Sequence, residues 1–469
     1  MSTNNVHAAN TGVIAAFVAV ATIGGFMFGY DSGVVNGTQA GLESAFDLKE
    51  LGTGLTVGAI LVGCAMGAFA AGRLADVLGR RRVMMISAVL FLASAVAAAF
   101  ADSAVTFILA RIVGGFGVGA ASVLSPAYIS EVTPAGVRGR LATVQQIMII
   151  TGLTSAFVMN FVLAKVAGSS TAPFWYGFPA WRWMFLMQVV PAAVYFVALL
   201  GIPESPRFLV LRGRLKEAEA VLSRLFGADE AVRKVAEIRA SLAEDHRPRL
   251  ADLIDPATGK VRKIVWAGIG LAVFQQLVGI NIIFYYGAVL WQSVGFTEAD
   301  SLINNILSGG LSIGACFLTT LLIDRIGRRP LLLIGSLGMA VTLAIVAWCF
   351  STATVGADGA VQLAPNLGQI ALISALAYVA FFNLSWGPVM WVMLGEMFPT
   401  QLRGSGLAVS GFAQWIANFA ISVSFLWLAK YVGLAATYGF YAASALISFF
   451  FVSALVRETA GVELEAMEG

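Results

Sequence analysis

Two ionisable residues stand inside apolar sequence: Asp31 follows GGFMFGY, and Arg111 lies within ILARIVGG. A charge in such a setting is costly, so it marks a functional hypothesis, and opposite charges on different helices can compensate each other. A nearby guanidinium favours a carboxylate, whereas apolar burial favours the neutral acid. A helix movement that parts Asp31 from Arg111 would therefore switch the pair between releasing and holding a proton. The competing reading is a fixed structural ion pair. A second set is uncharged. Gln275, Gln276 and Asn281 crowd into QQLVGIN, Gln414 and Asn418 are four apart, and Gln146 lies in another apolar run. Amides donate and accept without carrying charge, which suits a neutral ligand rich in hydroxyls, although they also bond helix to helix. Trp386 and Trp391 flank Gly387–Pro388. An indole covers an apolar ring face while its N–H finds a hydroxyl. Residues 275, 276 and 281 spread over a wide arc of an ideal helix, so a break near Gly279 is expected, with a second at Gly387–Pro388.

The elements that must position these residues follow from composition. Of 469 residues, 59% are hydrophobic and 12% charged, against about 25% charged in soluble domains, which excludes a soluble enzyme. The 50 glycines suit membrane helices, where small residues let backbones approach. A bilayer crossing needs about 20 mostly apolar residues. Six such runs fall near 13–37, 54–75, 83–101, 105–127, 141–165 and 182–202. Six more fall near 263–291, 301–323, 331–351, 367–392, 404–430 and 434–456. The expected architecture is an all-α membrane protein of twelve helices in two pseudo-symmetric bundles. Its parts are 1–202, a charged linker of short amphipathic helices at 203–262, and 263–469.

Twelve crossings put both termini on one side. Of the 29 Lys and Arg, 24 lie on the side of termini and linker; Lys49, Lys165, Arg182 and Lys430 lie opposite, and Arg111 within a span. The positive-inside rule makes the termini and linker cytoplasmic. Cys64, Cys316 and Cys349 sit in apolar runs and suggest neither disulfides nor a metal site. The polar N-terminal stretch has no signal-peptide pattern, so the first span is expected to stay in the membrane.

The halves repeat a signature. GRLADVLGRR (72–81) echoes LIDRIGRR (322–329), and SEVTPAGVRGR (130–140) echoes GEMFPTQLRGSG (395–406), each in the same place in its half. The charged sets are Asp76, Arg80, Arg81, Glu131 and Arg138, then Asp324, Arg328, Arg329, Glu396 and Arg403. Arg bonds carboxylates bidentately from several directions, so these sets can latch helix ends together as a cytoplasmic gate. Charge that only sets topology is the alternative. Glu204 and Arg207 of PESPRFL, where two prolines stop the sixth helix, are placed to join the network.

Together the GRLADVLGRR loops, PESPR, QQLVGIN and WGPVMW (386–391) resemble the sugar porter family of the major facilitator superfamily, over residues 20–457. The resemblance is greatest to bacterial proton-coupled pentose and hexose symporters. It implies monosaccharide transport by alternating access, with no enzyme activity and no cofactor or metal. It assigns sugar contact to Gln146, Gln275, Gln276, Asn281, Trp391 and Gln414, and contact, gating or packing to Phe382, Tyr285, Tyr286, Trp415 and Asn418. It implies proton coupling at Asp31, since the family's symporters carry Asp there and its facilitators Asn. Three positions depart from the pattern. Ser312 replaces a sugar-binding Asn, Asn383 stands where animal facilitators have Glu, and Leu153 where the xylose symporter has Gln. They put the exact sugar in doubt, not the class.

The expected partners are a monosaccharide, a proton and membrane lipid, with no nucleic acid, for a single chain in a bacterial inner membrane. An uncoupled facilitator of the same fold is the alternative. A sensor wants a longer output segment, an enzyme a paired nucleophile and base, a channel a ring of repeated pore residues.

Overall fold

A computed structural model describes residues 10–134, 138–244, 250–256, 258–355 and 361–460. Among them twelve helices are long and apolar enough to cross a bilayer. The first six are Thr11–Gly37, Glu50–Leu78, Arg80–Ala99, Ala104–Val132, Val144–Ala167 and Ala180–Leu200. The second six are Lys263–Ser293, Glu298–Ile326, Arg328–Ser351, Asn366–Met397, Leu402–Tyr431 and Leu434–Leu455. Every apolar run read from the sequence is a helix, most of them a few residues longer at the ends. The only strands among the described residues are two-residue pieces, Thr354–Val355 and Val361–Gln362, after the ninth span.

Lipid offers no hydrophobic drive between helices, so close backbone contact holds the spans together. The second and fourth spans meet on glycines at four-residue spacing. A Cβ at Gly63 or Gly67 would stand 2.1 Å from the Ile112 or Phe116 carbonyl, and one at Gly115 or Gly119 about 2 Å from those of Ile60 or Cys64.

Between the halves run helices Pro206–Leu211, Leu215–Phe226 and Ala228–Glu244. In the second, Ala218, Val221, Leu222, Leu225 and Phe226 are buried, one stripe of an amphipathic helix. It docks on the start of the first span, where the Asn10 N–H donates to the Leu225 carbonyl (2.9 Å).

The tenth span is broken, but not where the sequence suggests. The kink is at Ser385 (φ −136°, ψ −88°), between Pro365–Leu384 and Trp386–Met397, rather than at Gly387–Pro388. Pro388 has no N–H and its ring clashes with the carbonyl four residues earlier, that of Leu384, so the disturbance lands upstream of the proline.

Hydrogen bonds between the two halves gather at the end remote from the linker. Asn36 Nδ2 donates to the Phe284 carbonyl (2.8 Å), while its Oδ1 accepts from the Ala288 N–H (3.1 Å) and Asn305 Nδ2 (2.6 Å). This one amide thus inserts itself into the seventh span's own ladder, between a carbonyl and the N–H four residues on. Gln39 donates to the Tyr285 carbonyl, Lys430 pairs with Glu50, and the Ser170 N–H donates to Glu298 (3.0 Å).

Candidate functional site: a midspan amide cluster and a buried ion pair

The seventh span changes direction at Gly279, whose φ of +81° separates Lys263–Leu277 from Ile280–Ser293. Only glycine adopts that conformation without strain, and a Cβ there would meet the Tyr441 ring at 2.7 Å. The break brings three amides into one chain. Asn281 Nδ2 donates to Gln276 Oε1 (2.7 Å), and Gln276 Nε2 to Gln275 Oε1 (3.2 Å). Gln414 Nε2 of the eleventh span donates to the same Gln275 oxygen (2.7 Å). Gln275 Nε2 in turn reaches the Trp386 carbonyl (3.1 Å), just past the kink in the tenth span. Apart from Gln414 Oε1, which has no partner among the described residues, the amides of this chain bond one another. A hydroxyl-rich molecule exchanges these bonds for its own, so little desolvation is left uncompensated.

Other residues singled out from the sequence differ in burial and in partners. Trp391 is 40% exposed, while Phe382, Trp415 and Asn418 are buried. Gln146 is half-buried. Trp415 packs on Phe28 of the first half at 5.8 Å between ring centroids. Asn418 accepts from Ser422 (3.1 Å). Tyr285 is buried, and the Tyr286 hydroxyl is tied to the Ser422 carbonyl (2.7 Å), a structural bond. Ser312 and Asn383 hold each other: Asn383 Nδ2 donates to Ser312 Oγ (3.0 Å) and to the Val379 carbonyl (2.9 Å), and Ser312 donates to the Ser308 carbonyl (2.7 Å). Every hydrogen of the Asn383 amide and the Ser312 hydroxyl is engaged. Leu153 is buried.

Asp31 and Arg111 meet. Arg111 Nη1 donates to Asp31 Oδ1 (2.5 Å) and Nη2 to the Asp31 carbonyl (3.2 Å), with the Phe185 ring 5.5 Å from the guanidinium. Asp31 Oδ2 and Arg111 Nε are buried with no partner among the described residues.

At the linker end the two halves build matching networks. Arg80 bonds Asp76 (3.1 Å) and Glu131 (3.3 Å), Ser205 donates to Glu131, and Glu204 accepts the Arg81 N–H (3.0 Å). Arg328 bonds Asp324 (3.0 Å) and both oxygens of Glu396 (3.0 Å each), and Thr459 donates to Glu396 (2.6 Å). Glu458 accepts the Arg328 and Arg329 N–H groups (3.0 and 2.9 Å). Arg81 and Arg329 each bond a carbonyl near the end of the last span of their half (2.8 Å). Arg207 acts electrostatically on Glu131. Two of Arg403's nitrogens are buried without a partner among the described residues, and the side chain of Arg138 lies outside them. Burial alone would push the Glu458 carboxyl up, but four backbone N–H groups hold it below the usual glutamate range.

Sequence reasoning missed Glu458 and Thr459. The signal was present, since Glu-Thr after the twelfth span echoes Glu-Ser at 204–205 after the sixth. It also missed Asn36 and Gln39, whose partners, Asn305 apart, are backbone groups of a distant helix.

The family model described as "Sugar (and other) transporter" matches residues 17–469. A glucose transport protein of Synechocystis is 46% identical over 460 residues, covering 98% of both chains. A D-xylose-proton symporter of Escherichia coli is 35% identical, covering 98% of this chain and 96% of its own. The inward-open structure of the E. coli xylose transporter XylE superposes with a TM-score of 0.81 at 33% identity, over 97% of this chain and 99% of that one.

Proposed function

The chain belongs to the sugar (and other) transporter family, a multi-pass membrane protein and not an enzyme, and from that premise we propose that it is a monosaccharide:proton symporter working by alternating access. The observation that carries the proposal is the buried Asp31–Arg111 pair, with one carboxylate oxygen unused, in the same molecule as a midspan amide chain. A carboxylate that exchanges its arginine for a proton supplies the coupling. Gln275, Gln276, Asn281 and Gln414 bind sugar hydroxyls, Gln146 adds a contact from the first half, and Trp391 covers a ring face. Phe382, Tyr285, Trp415 and Asn418 shape the pocket. Ser312 and Asn383, spent on each other, form a rigid wall that adjusts which sugar fits.

The linker and termini face the cytoplasm of a bacterial cell, whose inner membrane surrounds a single chain, and no nucleic acid is involved. The two charged networks hold the helix ends of each half and face each other as the inner gate. Per proton, a pH unit is worth about 1.4 kcal/mol and 100 mV about 2.3 kcal/mol, together enough for roughly a few hundred-fold accumulation.

The test is purified protein in liposomes holding a pH-sensitive dye. D-xylose and D-glucose, which relatives' names supply as candidates, are added separately with no imposed gradient. Internal acidification on sugar addition, absent in Asp31→Asn, supports symport. Sugar entry without acidification in either protein makes this a facilitator and Asp31 a structural charge.

A further inference from the structure

Asp31 and Arg111 are each only 1% exposed, in a molecule whose halves are bonded together at the far end. A proton on Asp31 therefore has to travel through protein to reach the linker side. In that direction the first half contains buried polar atoms with no structural use. Gln188 follows Phe185, the residue beneath Arg111, by three positions on the sixth span, and its Nε2 has no partner among the described residues. Tyr195 is seven residues further along, two helical turns and about 10.5 Å. On the first span, Gly24 is seven residues before Asp31, on the same face and two turns nearer the linker. Over Gly24 two hydroxyls converge: a Cβ there would stand 2.6 Å from Ser125 Oγ and 2.8 Å from Tyr195 Oη. Neither hydroxyl has a hydrogen-bond partner among the described residues. Beside them Gln145, packed on Gly25, leaves both amide atoms without a partner.

Each such atom costs about 1–3 kcal/mol if left dry. A row of them along three helices is the signature of internal water. We infer that Gln188, Tyr195 and Ser125, with Gln145 beside them, order a file of water molecules that carries the proton between Asp31 and the linker side. Asp31 passes its proton to the first water, and every oxygen in the file gives up one hydrogen as it accepts another. One proton emerges, the hydroxyls stay neutral, and the carboxylate left behind pairs with Arg111. The two glutamines orient the water and carry no proton. Gly24 and Gly25, lacking a Cβ, let these polar side chains come close against the first span.

This inference rests on the symport reading, and one experiment separates the two. Full-length protein in liposomes is assayed for net sugar-driven acidification and for sugar counterflow, an exchange in which no net proton moves. Tyr195→Phe, which keeps the ring, and Ser125→Ala, each alone and combined, are expected to slow net acidification at least tenfold in the double variant and leave counterflow unchanged. Net transport through the intact file is expected to slow further in D2O. Acidification at the wild-type rate in the double variant overturns the file and leaves symport standing. Equal loss of both rates in Tyr195→Phe and in Ser125→Ala also overturns it, by giving these residues a packing role. Wild-type sugar entry without acidification overturns symport and the file together.

Discussion

Gln275 is the residue on which the central amides converge: its oxygen accepts from Gln276 and Gln414, and its nitrogen reaches the tenth span. Gln275→Ala therefore strands two donors and frees a carbonyl at once. A bound sugar also loses the hydroxyl partners that Gln275 would supply, and at about 1–3 kcal/mol for each group left unpaired in the bound state, sugar affinity is expected to fall tenfold or more, read by ligand-induced tryptophan fluorescence. A wild-type affinity would remove Gln275 from the site. That Asp31 and Arg111 demand a partner was legible from residue type alone, because a charge in apolar sequence has few ways to be tolerated. The Ser312–Asn383 bond was not. It joins the eighth and tenth spans, and which amide meets which hydroxyl depends on helix phase and tilt. Gln145 shows the same limit, since nothing in the string separates it from its neighbour Gln146, although one is buried and the other only half so.

Helices were the most legible elements, because a bilayer leaves the backbone no other way to satisfy itself. Their packing was less so. Glycine abundance announces close approach, but only the folded structure shows that Gly63 and Gly67 face Gly115 and Gly119. Gly115→Leu drives a side chain into the Ile60 carbonyl, and the expected result is loss of monodisperse protein in detergent size-exclusion. The ends of the third and ninth helices are held by Glu204 and Glu458, the second missed because its match to PESPR is only two residues long. The Glu458 carboxyl lies below its usual range, so its stabilisation is full above the unfolded value of about 4.3 and fades as pH falls through the lower native value. Glu458→Gln is expected to lower the melting temperature at neutral pH by a few degrees and to flatten its fall on acidification below about pH 4.3, measured by thermal shift.

For the whole molecule, twelve crossings in two related sets were plain from hydropathy and from the paired loop motifs, whereas the closure of the far end was not. It depends on Asn36, an unremarkable residue in GVVNGTQ whose partners are more than two hundred positions away. Asn36→Ala removes one amide that reaches the Phe284 carbonyl, the Ala288 N–H and Asn305. At about 1 kcal/mol net per bond, it is expected to shift the balance toward the far-open form at least tenfold. Thiol labelling of a cysteine introduced at Leu302, close to this clasp, reads the change, and an unaltered rate would deny Asn36 the role. The clasp also bears on temperature. Its hydrogen bonds, which lie beside the packing of Gly54 and Gly58 on Val423, cost enthalpy to break, so opening it is expected to be a temperature-sensitive step, taken whenever the carrier turns back toward the far side. Cooling should therefore slow repeated uptake more steeply than a single release, and a cell in cold water would be limited by the return of the empty carrier rather than by its hold on the sugar.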